Sequence, residues 1–184
     1  RAVAEAAADL PFFVYNLPQL TQVEFLPAMM ERLMREVPTL IGLKHSAPDF
    51  TQIRVFADMG LACFSGNGAL PLPALTMGAV GTIDAPLSLA PWHYSALYAA
   101  WLAGDMGRAQ SLQDEVRKFV DLVWMFGAPA DVCKAVLSAR LGVDCGSSIP
   151  PVNRLTDEQR REVLRTAEAL GVTAQPGNRA AMGQ

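Results

Sequence analysis

Lys44 closes the apolar run Leu40-Ile41-Gly42-Leu43 and is followed at once by His45-Ser46-Ala47-Pro48-Asp49. Burying an ammonium group is costly unless it is paired or gives up its proton. The neutral amine left behind is the form that attacks a carbonyl carbon to make a Schiff base. The plain alternative is a side chain that snorkels from a strand end into water. Lys44 has company, however. Tyr15 and Asn16 end the earlier run Pro11-Phe12-Phe13-Val14, Ser65-Gly66 end a later one, and Asp84 a fourth. A tyrosine in such a place is often just half-buried, with its hydroxyl on a backbone partner. One strand away from an amine nucleophile, it can also relay a proton.

The elements that must position these residues are short apolar strands alternating with longer helical stretches, the pattern of parallel β/α architecture. A first helix ends near Asp9, and Pro11–Tyr15 reads as a strand broken by Leu17-Pro18. From Val23 to Val37, Phe25, Leu26, Met29, Met30, Leu33, Met34 and Val37 recur at helical spacing, the methionines serving as core filler. The Lys44 strand follows, then a helix from Phe50 to Met59 ended by Gly60, and a third strand Leu61–Ser65. A helix from about Ala69 to Met77 leads to a fourth strand, Gly78–Asp84. Beyond Pro91 only helices are expected: Trp92–Leu102, Met106–Phe126, Ala130–Leu141, and a last one opened by Thr156 and Gln159 as a capping box and closed by Gly171. The chain thus divides into residues 1–91 with four strand–helix units, a helical region 92–172, and a tail 173–184 that reads as disordered. Parallel β/α folds, barrels above all, place their chemistry at the carboxyl ends of the strands, where Tyr15, Lys44, Ser46, Gly66 and Asp84 fall.

Composition narrows the function. A 184-residue chain that is 51% hydrophobic and 18% charged has the makings of a globular core. A formal charge of −3, with arginines scattered among carboxylates, argues against nucleic acid. No apolar stretch reaches the roughly 18 residues of a membrane span, so a cytoplasmic protein without a membrane partner is expected. Cys63, Cys133 and Cys145 lack metal or disulfide spacing and read as free thiols. Ser65-Gly66-Asn67-Gly68 follows a strand, but Pro71 stands where a dinucleotide fingerprint needs its third glycine. With no Walker lysine, and His45 and His93 isolated from other ligands, neither a cofactor nor a metal is expected. The chain begins without a methionine in what reads as mid-helix, which points to a fragment of a longer protein.

Phe13-Val14-Tyr15-Asn16-Leu17-Pro18, then Gly42-Leu43-Lys44-His45-Ser46 with Asp49, then Gly66 and Gly78-Ala79-Val80-Gly81-Thr82-Ile83, resemble in order and interval the tyrosine, lysine and last-strand motifs of the dihydrodipicolinate synthase and N-acetylneuraminate lyase family. Ala103-Gly104-Asp105, the Lys134-Ala135 to Gly142 segment and Pro150-Pro151 extend the likeness over nearly the whole chain. The resemblance implies an α/β fold, the (β/α)8 barrel, with this chain supplying about the last four β/α units and the carboxy-terminal helices. It also implies a class I aldolase chemistry in which Lys44 forms an imine with pyruvate or a longer 2-oxo acid and Tyr15 is the general acid/base. Ser46, Gly66 and Ile83 would then touch the substrate. The tyrosine's relay partners in the family, a threonine and a second tyrosine, belong to the barrel's first half, outside this sequence.

Two departures bear on the substrate. Leu20 stands where the family's synthases carry an arginine, and Gly68-Ala69 replaces the acidic pair with which its lyases grip a sugar tail. The expectation is a lyase for another 2-oxo acid, with two alternatives left open: a dehydratase acting on a deoxy sugar acid, or a catalytically silent half-barrel should the chain be complete. Trp101, Phe119, Val120, Val123, Trp124 and Phe126 exceed what one helical stripe can bury, so a homo-oligomer is expected, and the resemblance points to a dimer of dimers.

Overall fold

The computed structural model describes residues 2–7 and 9–174. The described residues fall into two compact units, divided between Ile83 and Asp84. In the first, the order is α1 (Ala2–Glu5), β1 (Phe12–Asn16), α2 (Pro18–Thr21), α3 (Pro27–Glu36), β2 (Leu40–His45), α4 (Gln52–Asp58), β3 (Ala62–Ser65), α5 (Pro71–Thr76) and β4 (Gly81–Thr82). The four strands pair in parallel in chain order, so neighbours in sequence are neighbours in the sheet.

The two faces of this sheet differ, because side chains alternate along a strand. Leu43 and Cys63 join Met30, Ile53 and Phe56 in a buried cluster, with Val14 and Phe25 packed against it. Fully burying each large member is worth about 1.5–3 kcal/mol. Burial pushes the Cys63 thiol up to about 12, which leaves it an inert core residue. The opposite face carries Phe13, Gly42, Phe64 and Gly81. A Cβ on Gly42 would lie 2.5 Å from the Phe13 ring, and one on Gly81 would lie 3.3 Å from the Phe64 ring. The two phenylalanine rings meet across β2 with centroids 5.7 Å apart. Glycine on the intervening strand gives the rings the room to approach.

The second unit is helical: α6 (Pro86–Leu89), α7 (Pro91–Leu102), α8 (Met106–Trp124) running into a 3-10 turn at Met125–Gly127, α9 (Pro129–Leu141) and α10 (Asp157–Ala169). Asp105 caps α8 by accepting the Arg108 N–H, and Gly104 before it takes φ +73. Arg140 on α9 donates to the carbonyls of Ser88 and Leu89, which end α6. The expected capping box of Thr156 and Gln159 opens α10. No single helix among the described residues is long and apolar enough to cross a membrane.

Several boundaries differ from the sequence reading. The helix expected from Val23 starts at Pro27, after a separate short helix α2 that ends at Gln22 with φ 58. The reason lies in Asn16: its Oδ1 accepts the Phe25 N–H and its Nδ2 donates to the Phe25 carbonyl, which satisfies that residue outside a helix. Leu26, extended before a proline, completes the break. β4 is two residues rather than seven, although bonds from Val80 N to the Cys63 carbonyl and Ile83 N to the Ser65 carbonyl flank it. α6 has no counterpart in the sequence reading, and α8 stops at Trp124 because Met125 leaves the helical region and Phe126 and Gly127 then take positive φ. Of the expected disordered tail, residues 175–184 lie outside the described residues.

Candidate active site

Tyr15 of β1, Lys44 of β2 and Phe64 of β3 occupy one row of the sheet by register. Tyr15 and Lys44 share its open face, and Lys44 Nζ lies 4.3 Å from the centroid of the Tyr15 ring. That spacing suits a cation–π contact and brings the amine and the aromatic side chain of the phenol together at the carboxyl ends of adjacent strands. Lys44 is partly buried and Tyr15 is 46% exposed, so both can meet a solute from the open face.

Ser46 and Gly66 complete the same corner. The ladder continues past the strands through Ser46 N to the Asn16 carbonyl and Gly66 N to the His45 carbonyl. This fixes the Ser46 side chain beside Gly66, where a Cβ would stand 1.8 Å from Ser46 Oγ and 3.1 Å from Lys44 Cε. The Ser46 hydroxyl is buried and has no hydrogen-bond partner among the described residues. Buried hydroxyls are normally paired, so this one, next to the lysine, leaves hydrogen-bonding capacity unused. Gln19 Nε2 of α2 donates to the Ser46 carbonyl at 2.8 Å and holds that segment from outside. Ile83, 46% exposed, stands one step past β4, its N–H on the Ser65 carbonyl. Lys44, Tyr15, Ser46 and Gly66 therefore form one cluster, while Ile83 lies farther along the strand ends, two strands away from Lys44.

Sequence reasoning gives no functional role to two polar groups on the sheet's other face. Asn16 and His45 are both buried and are register partners, next in the chain to Tyr15 and Lys44. Asn16 Nδ2 lies 3.2 Å from His45 Nδ1, and His45 Nε2 lies 3.0 Å from the Asp49 carbonyl. Burial lowers the imidazole below its ordinary value near 6.5, outweighing the raising effects of the Asp49 carbonyl and of the Glu24 and Asp49 carboxylates. The available signal was position: two polar side chains at facing strand ends, each adjoining a candidate reactive residue.

Fold and site together define a parallel β/α protein of the (β/α)8 barrel class, with four strands of the barrel in this chain and polar groups at their carboxyl ends. Comparison with known proteins makes this specific. The family model described as the dihydrodipicolinate synthetase family matches residues 1–170. A 4-hydroxy-tetrahydrodipicolinate synthase of Synechococcus sp. strain CC9605 is 32% identical over 176 residues, covering 94% of this chain and 57% of that protein. Another of the same name, from Symbiobacterium thermophilum, is 37% identical over 175 residues, covering 92% and 59%. Among solved structures, the wild-type sialic acid aldolase of Ruminococcus gnavus superposes with a TM-score of 0.84 at 26% identity, covering 94% of this chain and 58% of that one. A catalytic lysine mutant of that aldolase superposes at 0.82. The chain belongs to the dihydrodipicolinate synthetase family. It spans a little over half the length of the relatives it matches.

Proposed function

We propose that this chain carries the reactive half of a Schiff-base lyase or aldolase acting on a pyruvate-type 2-oxo acid. The observation that carries the reading is the juxtaposition of Lys44 with Tyr15, at 4.3 Å, in a family whose members include a sialic acid aldolase with a catalytic lysine. The neutral Lys44 amine adds to the keto carbon, and loss of water leaves a protonated imine. The imine then accepts the electron pair of the bond between its α- and β-carbons as that bond breaks, which leaves an enamine. Tyr15 takes the proton from the hydroxyl that becomes the aldehyde, and protonation of the resulting enamine followed by hydrolysis returns pyruvate and free lysine. The same steps in reverse condense the two fragments. Ser46 and Gly66 bind the keto acid beside the lysine, and Ile83 contributes an apolar wall. No metal or cofactor enters.

The tail of the substrate is the less polar part in this reading. Leu20 on α2 is 78% exposed and offers no charge to a second carboxylate, and Gly68-Ala69 offers none to a polyol. In solution we expect a homo-oligomer, a dimer of dimers, because Trp124 and Phe126 remain 58% and 45% exposed. Sedimentation of the full-length protein at micromolar concentration tests this, and a monomer would remove it.

The chemistry is tested by treating the full-length protein with pyruvate and borohydride, digesting it and locating the reduced adduct by mass. The adduct is expected on Lys44 and should be absent in Lys44→Ala and Lys44→Arg, since a guanidinium stays charged. Lys118, beside Glu115 on α8, and Lys134, bonded to the Ser147 carbonyl, serve as internal controls. An adduct on either with none on Lys44 overturns the assignment. Product analysis with candidate 2-oxo acids separates cleavage from dehydration.

A further inference from the structure

The roles of the Asn16–His45 pair follow from its hydrogen bonds. Phe25 fixes the Asn16 amide, because its N–H needs the Oδ1 acceptor and its carbonyl needs an Nδ2 proton. Only the NH2 group is then left to face His45 Nδ1 at 3.2 Å. On the other side of the ring, Nε2 meets a carbonyl, that of Asp49, which can only accept. The imidazole is thus neutral, with its proton on Nε2 and its Nδ1 lone pair accepting from Asn16. A second proton on Nδ1 would set two donors face to face.

We propose that the Asn16–His45 hydrogen bond is the positioning link that holds Lys44 against Tyr15, and that it is made only while His45 is neutral. Both partners are interior to the sheet and adjoin the reactive pair in the chain, at the same register step. Movement of either partner is passed directly through one peptide unit to Tyr15 or Lys44 on the open face. The groups around the ring are the Phe56 ring of α4, with centroids 5.5 Å apart, the Glu24 carboxylate ahead of α3, and the Asp49 carbonyl and carboxylate after β2. The two carboxylates favour the imidazolium, yet burial prevails. His45 therefore takes up a second ring proton less readily folded than unfolded, and the link is intact at neutral pH and lost as pH falls below the ordinary histidine range.

The inference rests on the Schiff-base reading for its kinetic arm alone. The structural arm is the ring-current shift that the Tyr15 ring imposes on the Lys44 ε-protons, followed by NMR of the full-length protein. Asn16→Ala should abolish that shift and lower turnover about 100-fold, the scale of an ångström's misplacement, with KM changing far less. His45→Asn, which keeps an acceptor at the Nδ1 position but does not titrate, should retain the shift and remove its loss at acid pH. A wild-type shift in Asn16→Ala overturns the positioning role, and an acid transition surviving in His45→Asn overturns the pH gate. If wild-type protein forms no imine with pyruvate, the proposed function fails, while the shift and its pH dependence still decide this inference. Wild-type titration needs no variant to fold.

Discussion

Gly66 and Ser46 come so close that a Cβ on the glycine would stand 1.8 Å from the serine hydroxyl oxygen and 2.9 Å from its Cβ. The glycine is there for space, since its backbone needs no left-handed conformation. Gly66→Ala should force Ser46 into another rotamer and press toward Lys44 Cε. We expect imine trapping with pyruvate to slow by about 100-fold while the thermal midpoint moves little. Trapping at the wild-type rate would show that neither residue meets the keto acid.

Tyr15→Phe keeps the ring over Lys44 and removes only the hydroxyl. Imine trapping should persist, and turnover should fall by roughly 10²–10⁴-fold, the range for a lost general acid/base. Full turnover in that variant would reduce Tyr15 to a packing residue.

Much of this site was legible in the sequence because strand ends are marked by polarity. Tyr15, Lys44 and Gly66 each follow an apolar run, and a parallel order brings such ends together. The helix starts were less legible, although the marker was present: Pro18, Pro27, Pro71, Pro86, Pro91 and Pro129 each open a helix, where a missing N–H costs nothing. Apolar periodicity alone ran the α3 helix back to Val23, because no local rule shows that Asn16 reaches nine residues forward to Phe25. The Asn16–His45 link was invisible for the same reason. Its 29-residue separation is closed by the register of β1 on β2, which depends on the whole sheet.

Gly42 tests the sheet that carries Lys44. A Cβ there would lie 2.2 Å from the Ala62 carbonyl oxygen and 2.5 Å from the Phe13 ring, and the first of these is backbone that cannot rotate away. Gly42→Ala should therefore destabilise the protein by about 1–3 kcal/mol, as overpacking does, and separate β2 from β3 near Lys44. Urea unfolding measures it, and an unchanged midpoint would mean that the strands have slack at this row.

Asp131 anchors the second unit. Its carboxylate is buried and accepts the N–H groups of Ser148 at 2.6 Å and Leu155 at 2.9 Å, with Arg160 at 3.6 Å, so it ties the segment between α9 and α10 to α9 itself. Burial alone would raise its pKa, but the donors from Leu155 and Ser148 together with Arg160 hold it below the ordinary 3.8. The unfolded chain then takes up this proton at higher pH than the folded one. The stabilisation is complete above the ordinary carboxylate value and is lost as pH falls through the lower folded value. Asp131→Asn replaces an acceptor with a donor facing one of these N–H groups and leaves Arg160 without its carboxylate partner. We expect a loss of about 3 kcal/mol at neutral pH and a shallower fall in stability on acidification than in the wild type, both read from urea unfolding between pH 3 and 7. Parallel acid profiles for the two proteins would mean that Asp131 does not supply the linkage.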